Sequence, residues 1–488
     1  MAYFHGAYNA EQDTSLTVPI RGGAGLPVVF GTAPIHLAKD PSKAVNTPLL
    51  CYSFQECAQA AGYSDDFKSF TLCQSVDAGF RVFNVAPIIL VNVLDPGKPA
   101  HVQAYEAEEV PVRDGQAVYT KPYVLLDSLE VKSGETVLSA ESDYTSAHDN
   151  DGNVAVLLLS QAAQDAEALT ISAKGLNPSG VTREDIVGGV DSVTGRETGL
   201  ELVRQIYPKL GMVPGQLLAP GWSGDPVVAA ALQAKTEALN GVFECTCLLD
   251  IPTEGENSAA VYTEVKAAKE KLGASSTHAA ALWPMVAVGD KIYHYSAVFA
   301  ALTAYTDASN GDVPYESPSN KDLRITATVL ADGTEVVLDQ QQANDALNAN
   351  GIITAINQEG FRSWGNSTAA YPATTDPKDR WLAVRRFFNW DGNNFIRTYF
   401  QKVDRPGNTR LIQSIVDSQN VIGNGYVARE YCAGYRTEFR SGENPVTNLL
   451  DGHLTVHTFL APFIPAEYLE NIREYDVTAL EAVLTGGS

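Results

Sequence analysis

Six short stretches of this 488-residue chain bring together residue types that could do chemistry. Gly221-Trp222-Ser223-Gly224-Asp225 has the outline of a nucleophile elbow, the tight strand-to-helix turn that presents a serine hydroxyl to a carbonyl. Its second glycine comes one place early and Asp225 holds the position the motif reserves for it, so Ser223 or Asp225 reads as the cap of a following helix. Gly22-Gly23-Ala24-Gly25 precedes a strand, whereas a dinucleotide-binding loop follows one and opens a helix; it reads as a flexible joint. Cys245 and Cys247 have the chemistry of a metal or redox pair, but VFECTCLLD is an apolar, strand-like run that puts both thiols on one buried face. His453 and His457 would share a helix face; the alternation of HLTVHTFL marks a strand, where positions four apart lie about 13 Å from each other. Asp149-Asn150-Asp151-Gly152-Asn153 lacks the ligand pattern and terminal Glu of a calcium loop. Asn366-Ser367-Thr368 matches a glycosylation sequon, which a cytoplasmic chain would not use. No catalytic residue, cofactor or metal is expected.

The elements that would position these residues follow an α/β rhythm interrupted once. Val28 to Gly31 is a short apolar strand, Ser53 and Glu56 have capping-box spacing for a helix through Ala61, and Val82 to Val93 reads as one long strand. From about Pro99 to Gly189, the short strands in AVYTKPYVLLD, LEVKSG, ETVLSAESDYTS, NVAVLLLS and ALTISAKG indicate a small β-rich domain inserted into the core. The rhythm then resumes. Leu200, Val203 and Tyr207 line a helix before Gly211, and Gln216 to Ala219 make a strand. Asp225 caps a helix that has Pro226 first, and Val242 to Asp250 is a buried strand. Val261, Val265, Ala268 and Leu272 stripe the next helix, Ala279 to Trp283 follow as a strand, and a helix runs around Ser296 to Thr306. Such units imply parallel strands with right-handed crossovers. Asp339 can cap a helix through Asn350, Gly351 suits its left-handed end, and Ile352 to Ile356 pair with Phe361 to Trp364 across the turn Asn357-Gln358-Glu359-Gly360.

Composition sets the outer limits. With 45% hydrophobic residues the chain can fill the cores of about three domains. It has no apolar run long enough for a membrane span and no secretory signal at MAYFHGAYNAEQD, so a cytoplasmic chain without membrane insertion is expected. Six cysteines are too few and scattered for a disulfide framework. A net charge of -24 argues against nucleic-acid binding, which rests on neutralising phosphates. The charge is uneven: residues 102–153 hold eleven acids and three bases, whereas Lys378 to Arg410 hold eight bases and three acids, so two differently charged faces are expected.

Several weak motifs occur in order. They are LLAPGW at 217–222, Asp250-Ile251-Pro252, Trp283-Pro284, Pro318-Ser319-Asn320-Lys321 and GIITAINQEGFRSWGNST at 351–368, with Phe4-His5-Gly6 at one end and Leu460-Ala461-Pro462-Phe463-Ile464-Pro465-Ala466-Glu467 at the other. In this register they resemble the contractile phage tail sheath family, most loosely over residues 100–188. The resemblance, joined to the element pattern, implies an α/β (α+β) core of strand-helix units with an inserted β-rich domain and extended N- and C-terminal arms. The divisions are an arm at 1–20, the first part of the core at 21–98, an acidic outward-facing insert at 99–189, the second part of the core at 190–370, a tube-proximal part at 371–468 and an arm at 469–488.

The function the resemblance implies is mechanical: a subunit that polymerises as stacked hexameric rings around a tail tube and contracts to drive the tube through a cell envelope for genome ejection. Its partners would be itself, the tail tube protein, and baseplate and tail terminator proteins. It would stand in the virion tail after assembly in the host cytoplasm. Arms that add strands to a neighbour's sheet keep subunits joined during motion, because main-chain hydrogen bonds tolerate side-chain change. Thr17, Val18, Ile20, Val477, Leu480 and Val483 are the expected arm residues, and Arg385, Arg386, Arg397 and Lys402 the expected contacts to an acidic tube. The alternatives are the sheath of a contractile bacteriocin, injection or secretion system and, from another class, a cytoplasmic α/β enzyme with a β-rich insertion.

Overall fold

The computed structural model describes residues 20–149, 152–160 and 166–484. Two large sheets dominate it. The first has eight strands, built from β1 (Pro27–Gly31), β2 (Leu49–Cys51), β3 (Ile88–Asn92), β11 (Gln216–Leu218), β12 (Thr246–Asp250), β13 (Ala279–Leu282), β14 (Ile352–Asn357) and β15 (Phe361–Trp364). Their spatial order is β15-β14-β13-β12-β11-β1-β3-β2. The six inner strands are parallel and the two edges antiparallel. The sheet therefore grows both ways from the β1–β11 pair.

Strands β1, β3, β12 and β13 are buried at every position. That explains why they read as continuous apolar runs, as parallel strands covered on both faces do. The covering helices include α1 (Phe54–Ala61), α2 (Val203–Leu210), α3 (Pro226–Ala234), α4 (Val265–Leu272) and α5 (Tyr295–Ser309). Their ends obey local chemistry. The Ser53 hydroxyl accepts the Glu56 N–H at 3.2 Å, and one Asp225 oxygen accepts the N–H groups of Val227 at 2.8 Å and Val228 at 3.3 Å, so orphan donors of the first turn are satisfied. Asp339 and Gln342 cap each other reciprocally, and Gly351 takes φ +66° at the end of the helical stretch that follows.

The second sheet has seven antiparallel strands, all from residues 102–176: β4 (Val102–Arg113), β5 (Gln116–Tyr119), β6 (Glu130–Ser133), β7 (Thr136–Val137), β8 (Tyr144–His148), β9 (Val154–Leu158) and β10 (Ala168–Leu176). Their order is β8-β9-β5-β4-β10-β6-β7. It has its own apolar cluster, including Tyr119, Val131, Val156 and Ile171. A third unit, the C-terminal lobe, packs the long helices α6 (Leu382–Tyr399) and α7 (Thr409–Ala428) against the hairpin of β16 (Cys432–Glu438) and β17 (His457–Pro462). Phe387, Cys432 and Tyr435 are buried there with Val313.

Four details differ from the sequence reading. Val82 and Phe83 end a helical stretch, and Pro87, which has no N–H to donate, separates Val85–Ala86 from β3, so 82–93 is not one strand. β12 begins at Thr246, because Leu239 and Phe243 are bridged across the Asn240-Gly241 turn. Helix α4 starts at Val265 and leaves Val261 exposed. Finally, β17 starts at His457, so His453 precedes the strand.

Candidate assembly surfaces

The basic segment 378–410 is divided by burial. Arg385 and Arg386 lie on α6 with their side chains turned inward, 8% and 5% exposed. Arg385 ion-pairs with Asp379. Burial alone would raise the Asp379 carboxyl, but hydrogen bonds from Lys378 and Arg385 outweigh it and hold the group below its usual range. Arg386 pairs with Asp307 on α5, a fully buried carboxyl that burial pushes up against the pull of its partner. This corrects the expectation for Arg385 and Arg386: inward-turned guanidinium groups already committed to carboxylate partners have little to offer another surface.

Arg397, in the last turn of α6, and Lys402, just after it, point to solvent, and so do Arg405 and Arg410. Among them Phe400 and Val403 are 72% and 64% exposed. The α6–α7 tip is thus basic and apolar together.

The C-terminal tail is the other open surface. Residues 463–476 have no regular structure, and Tyr468, Leu469, Ile472 and Tyr475 are exposed along them. Helix α8 (Val477–Leu484) follows, with Val477, Leu480 and Val483 exposed. That corrects the extended arm read at these three residues: Asp476 accepts the Ala479 N–H at 3.0 Å, a cap that starts a helix in VTALEAVL. Thr17 and Val18 lie outside the described residues. Ile20 pairs in parallel with Val85 of its own chain, so its strand is part of this subunit. The chain is fastened there: Gly22 N–H donates to Ala86 O at 3.0 Å, and Gly23 and Ala24 N–H donate to one oxygen of Asp312 at 2.7 and 2.6 Å. The lobe hairpin has only two strands, so the outer edges of β16 and β17 have no strand partner among the described residues.

The residues with enzyme-like spacing serve the fold. Ser223 donates to Asp250 at 3.0 Å, and Asp250 also accepts the Ser296 N–H at 2.8 Å and its hydroxyl at 2.5 Å, which closes the start of α5. The sequence reading missed this buried network; an acid ending an apolar strand was its one signal. His294 nearby keeps its ring against Gln74 at 3.1 Å. Cys245 and Cys247 are free and buried, and burial pushes both thiols up, away from the reactive thiolate. Among the described residues no cluster of three or more metal-ligating side chains occurs, and no helix is long and apolar enough to cross a membrane.

An α/β core that carries a separate antiparallel sheet and leaves its last lobe open is the architecture of a subunit that associates with others. No family model matches the chain. It is 28% identical to the tail sheath protein of Burkholderia phage BcepMu over 466 residues, covering 93% of each chain. Its fold is shared with a chain of the anti-feeding prophage baseplate, at a TM-score of 0.59 and 14% identity over 98% of this chain and 100% of that one. It is likewise shared with the sheath complex of the extracellular contractile injection system PVC in its contracted state, at a TM-score of 0.57 and 15% identity over 98% and 99% of the two chains. Relatives named as phage tail sheath proteins and the fold shared with contractile sheath structures support a place for this chain among the contractile tail sheath proteins, with a structural sheath role.

Proposed function

We propose that the protein forms the sheath of a phage tail, polymerising as stacked hexameric rings around a tail tube and contracting to drive the tube through the host envelope. The observation that carries this reading is relatedness to a phage tail sheath protein along nearly the whole of both chains. Assembly would take place in the host cytoplasm, with the tube, baseplate and tail terminator proteins as partners. The insert of residues 99–189, with its acidic strands, would face outward and the 371–468 part inward. A sheath of an injection machine or contractile bacteriocin is the second reading; it is favoured by the shared fold with the injection-system chains. Whether purified particles carry a DNA-filled head separates the two.

In this reading the α6–α7 tip meets an acidic tube through Arg397 and Lys402, assisted by Arg405 and Arg410. Partly solvated ion pairs contribute little each and reform readily, which suits a contact that must break during contraction. The outer edge of β17 would accept a strand from the terminal arm of a neighbouring subunit, whereas Asn420 of α7 bonds the outer edge of β16 at Thr437. The test is the charge-reversed pair Arg397→Glu and Lys402→Glu, assembled with purified tubes and viewed by negative-stain microscopy. The expected result is bare tubes and soluble subunits; sheathed tubes of normal length refute the assignment.

A further inference from the structure

The seven-stranded sheet meets the core at a cluster of rings. His36, in a short helical turn of the core (Ile35–Leu37), lies with its ring centroid 5.3 Å from that of His148 at the end of β8, edge to face at 79°. The same ring stands 5.7 Å from Tyr123 and 5.9 Å from Phe70. Tyr123 in turn packs edge-on to Phe70 at 5.0 Å and donates its hydroxyl to Asp66 at 2.7 Å. His36 is 7% exposed, and its Nδ1 has no partner among the described residues. A buried neutral imidazole is tolerated in such a place; a buried imidazolium facing a second imidazole is not.

The charged groups on the surrounding elements do not offset that cost. Asp66 is engaged by the Tyr123 hydroxyl, and Asp149 acts on His148. Glu56 on α1 accepts the Tyr52 N–H, and Asp40 and Lys43 pair with each other at 2.8 Å on the surface. Burial, with His148 second, lowers His36 to about 3, and burial lowers His148 as well.

We propose that His36 and His148 form a proton-sensitive latch between the seven-stranded sheet and the core, closed when both rings are neutral and released by acid. The sheet would lift at this edge while its root stays fastened, because Asp185 binds Lys98 across the two chain segments that enter and leave the sheet. The direction follows from linkage. A histidine lowered on docking contributes fully above its free value of about 6.5, and the contribution falls as pH drops below that value. With His36 at about 3 when docked, the docking equilibrium weakens about 30-fold between pH 8 and pH 5 from this residue alone.

Hydrogen exchange of the full chain, corrected for intrinsic rates, measures this. Amides of residues 35–38 should lose about 30-fold in protection between pH 8 and pH 5, while those of residues 154–158 in β9 hold theirs. In His36→Phe, which keeps a ring and cannot titrate, the loss at 35–38 should shrink to that caused by His148 alone, well under the wild-type value. If that variant does not fold, His36→Gln supplies the same comparison. An equal loss in the variant, no loss in the wild type, or a parallel loss at 154–158 overturns the latch.

Discussion

In the parallel sheet every inner strand lies between two hydrogen-bonded neighbours, and helices cover both faces. In the lobe of α6, α7, β16 and β17 two strands stand alone, and the tail that leaves them exposes one large apolar side chain after another. The same chain thus contains a region that satisfies itself and a region that does not. A monomeric protein rarely leaves so much apolar chain in water, because covering it lowers the free energy. Under the proposed function the contrast assigns stability to the sheet and association to the lobe.

The basic segment tests this contrast most strongly, because it spans both regimes. Arg386→Ala leaves Asp307 charged or protonated in a fully buried site and should lower unfolding stability by about 3–5 kcal/mol, whereas Arg397→Ala should stay within about 0.5 kcal/mol. Urea denaturation of both variants decides it; similar values would erase the boundary drawn between core and surface.

A smaller effect is expected inside the lobe. Asp391 on α6 is buried beside the Tyr435 hydroxyl, 3.1 Å away, and burial pushes its carboxyl up to about 6. Because this lies above the ordinary aspartate value, the stabilisation is complete below about pH 4 and fades as pH rises through about 6, for a total of about 3 kcal/mol. Exchange of the amides of β16 across that range should show the loss in the wild type and a flat profile in Asp391→Asn, with β13 unaffected in both. A wild-type profile that is also flat would mean that the lobe is as insensitive as the sheet.

The smallest effect on the monomer should come from the tail. Leu469 and Ile472 are 88% and 85% exposed, so their joint replacement by Ala should shift stability by less than about 0.5 kcal/mol. The same variant should sediment as unassembled subunits where the wild type forms polymers. Wild-type polymerisation would show that the exposed apolar chain is not what subunits bind.

The self-satisfied region was the legible one. Asp225 with Pro226, Ser53 with Glu56 and Asp339 with Gly351 announce helix ends by local chemistry, and buried parallel strands are apolar runs in any context. What escaped depends on neighbours. β4 carries glutamates on both faces and shows no alternation, yet pairing with β10 along its length makes it the longest strand among the described residues. The inward turn of Arg386 was hidden for a similar reason: charge count cannot reveal that Asp307, some eighty residues earlier, lies across the helix interface. The tail read as extended because an exposed apolar segment has no tertiary partner to argue from, and the Asp476 cap was overlooked.

The fastening of the chain near residue 22 sets how the subunit carries load. A pull on the chain at Ile20 would be distributed within three consecutive residues over three hydrogen bonds, two of them to Asp312. Asp312 sits just beyond α5, which is tied through Asp307 to Arg386 on α6. Load on this segment would therefore be shared between these helices and the backbone at Ala86, just ahead of β3. In the proposed sheath, a tether entering here would be rooted in the interior of the subunit, whereas the tip at Phe400 is 72% exposed and would be the part that lets go.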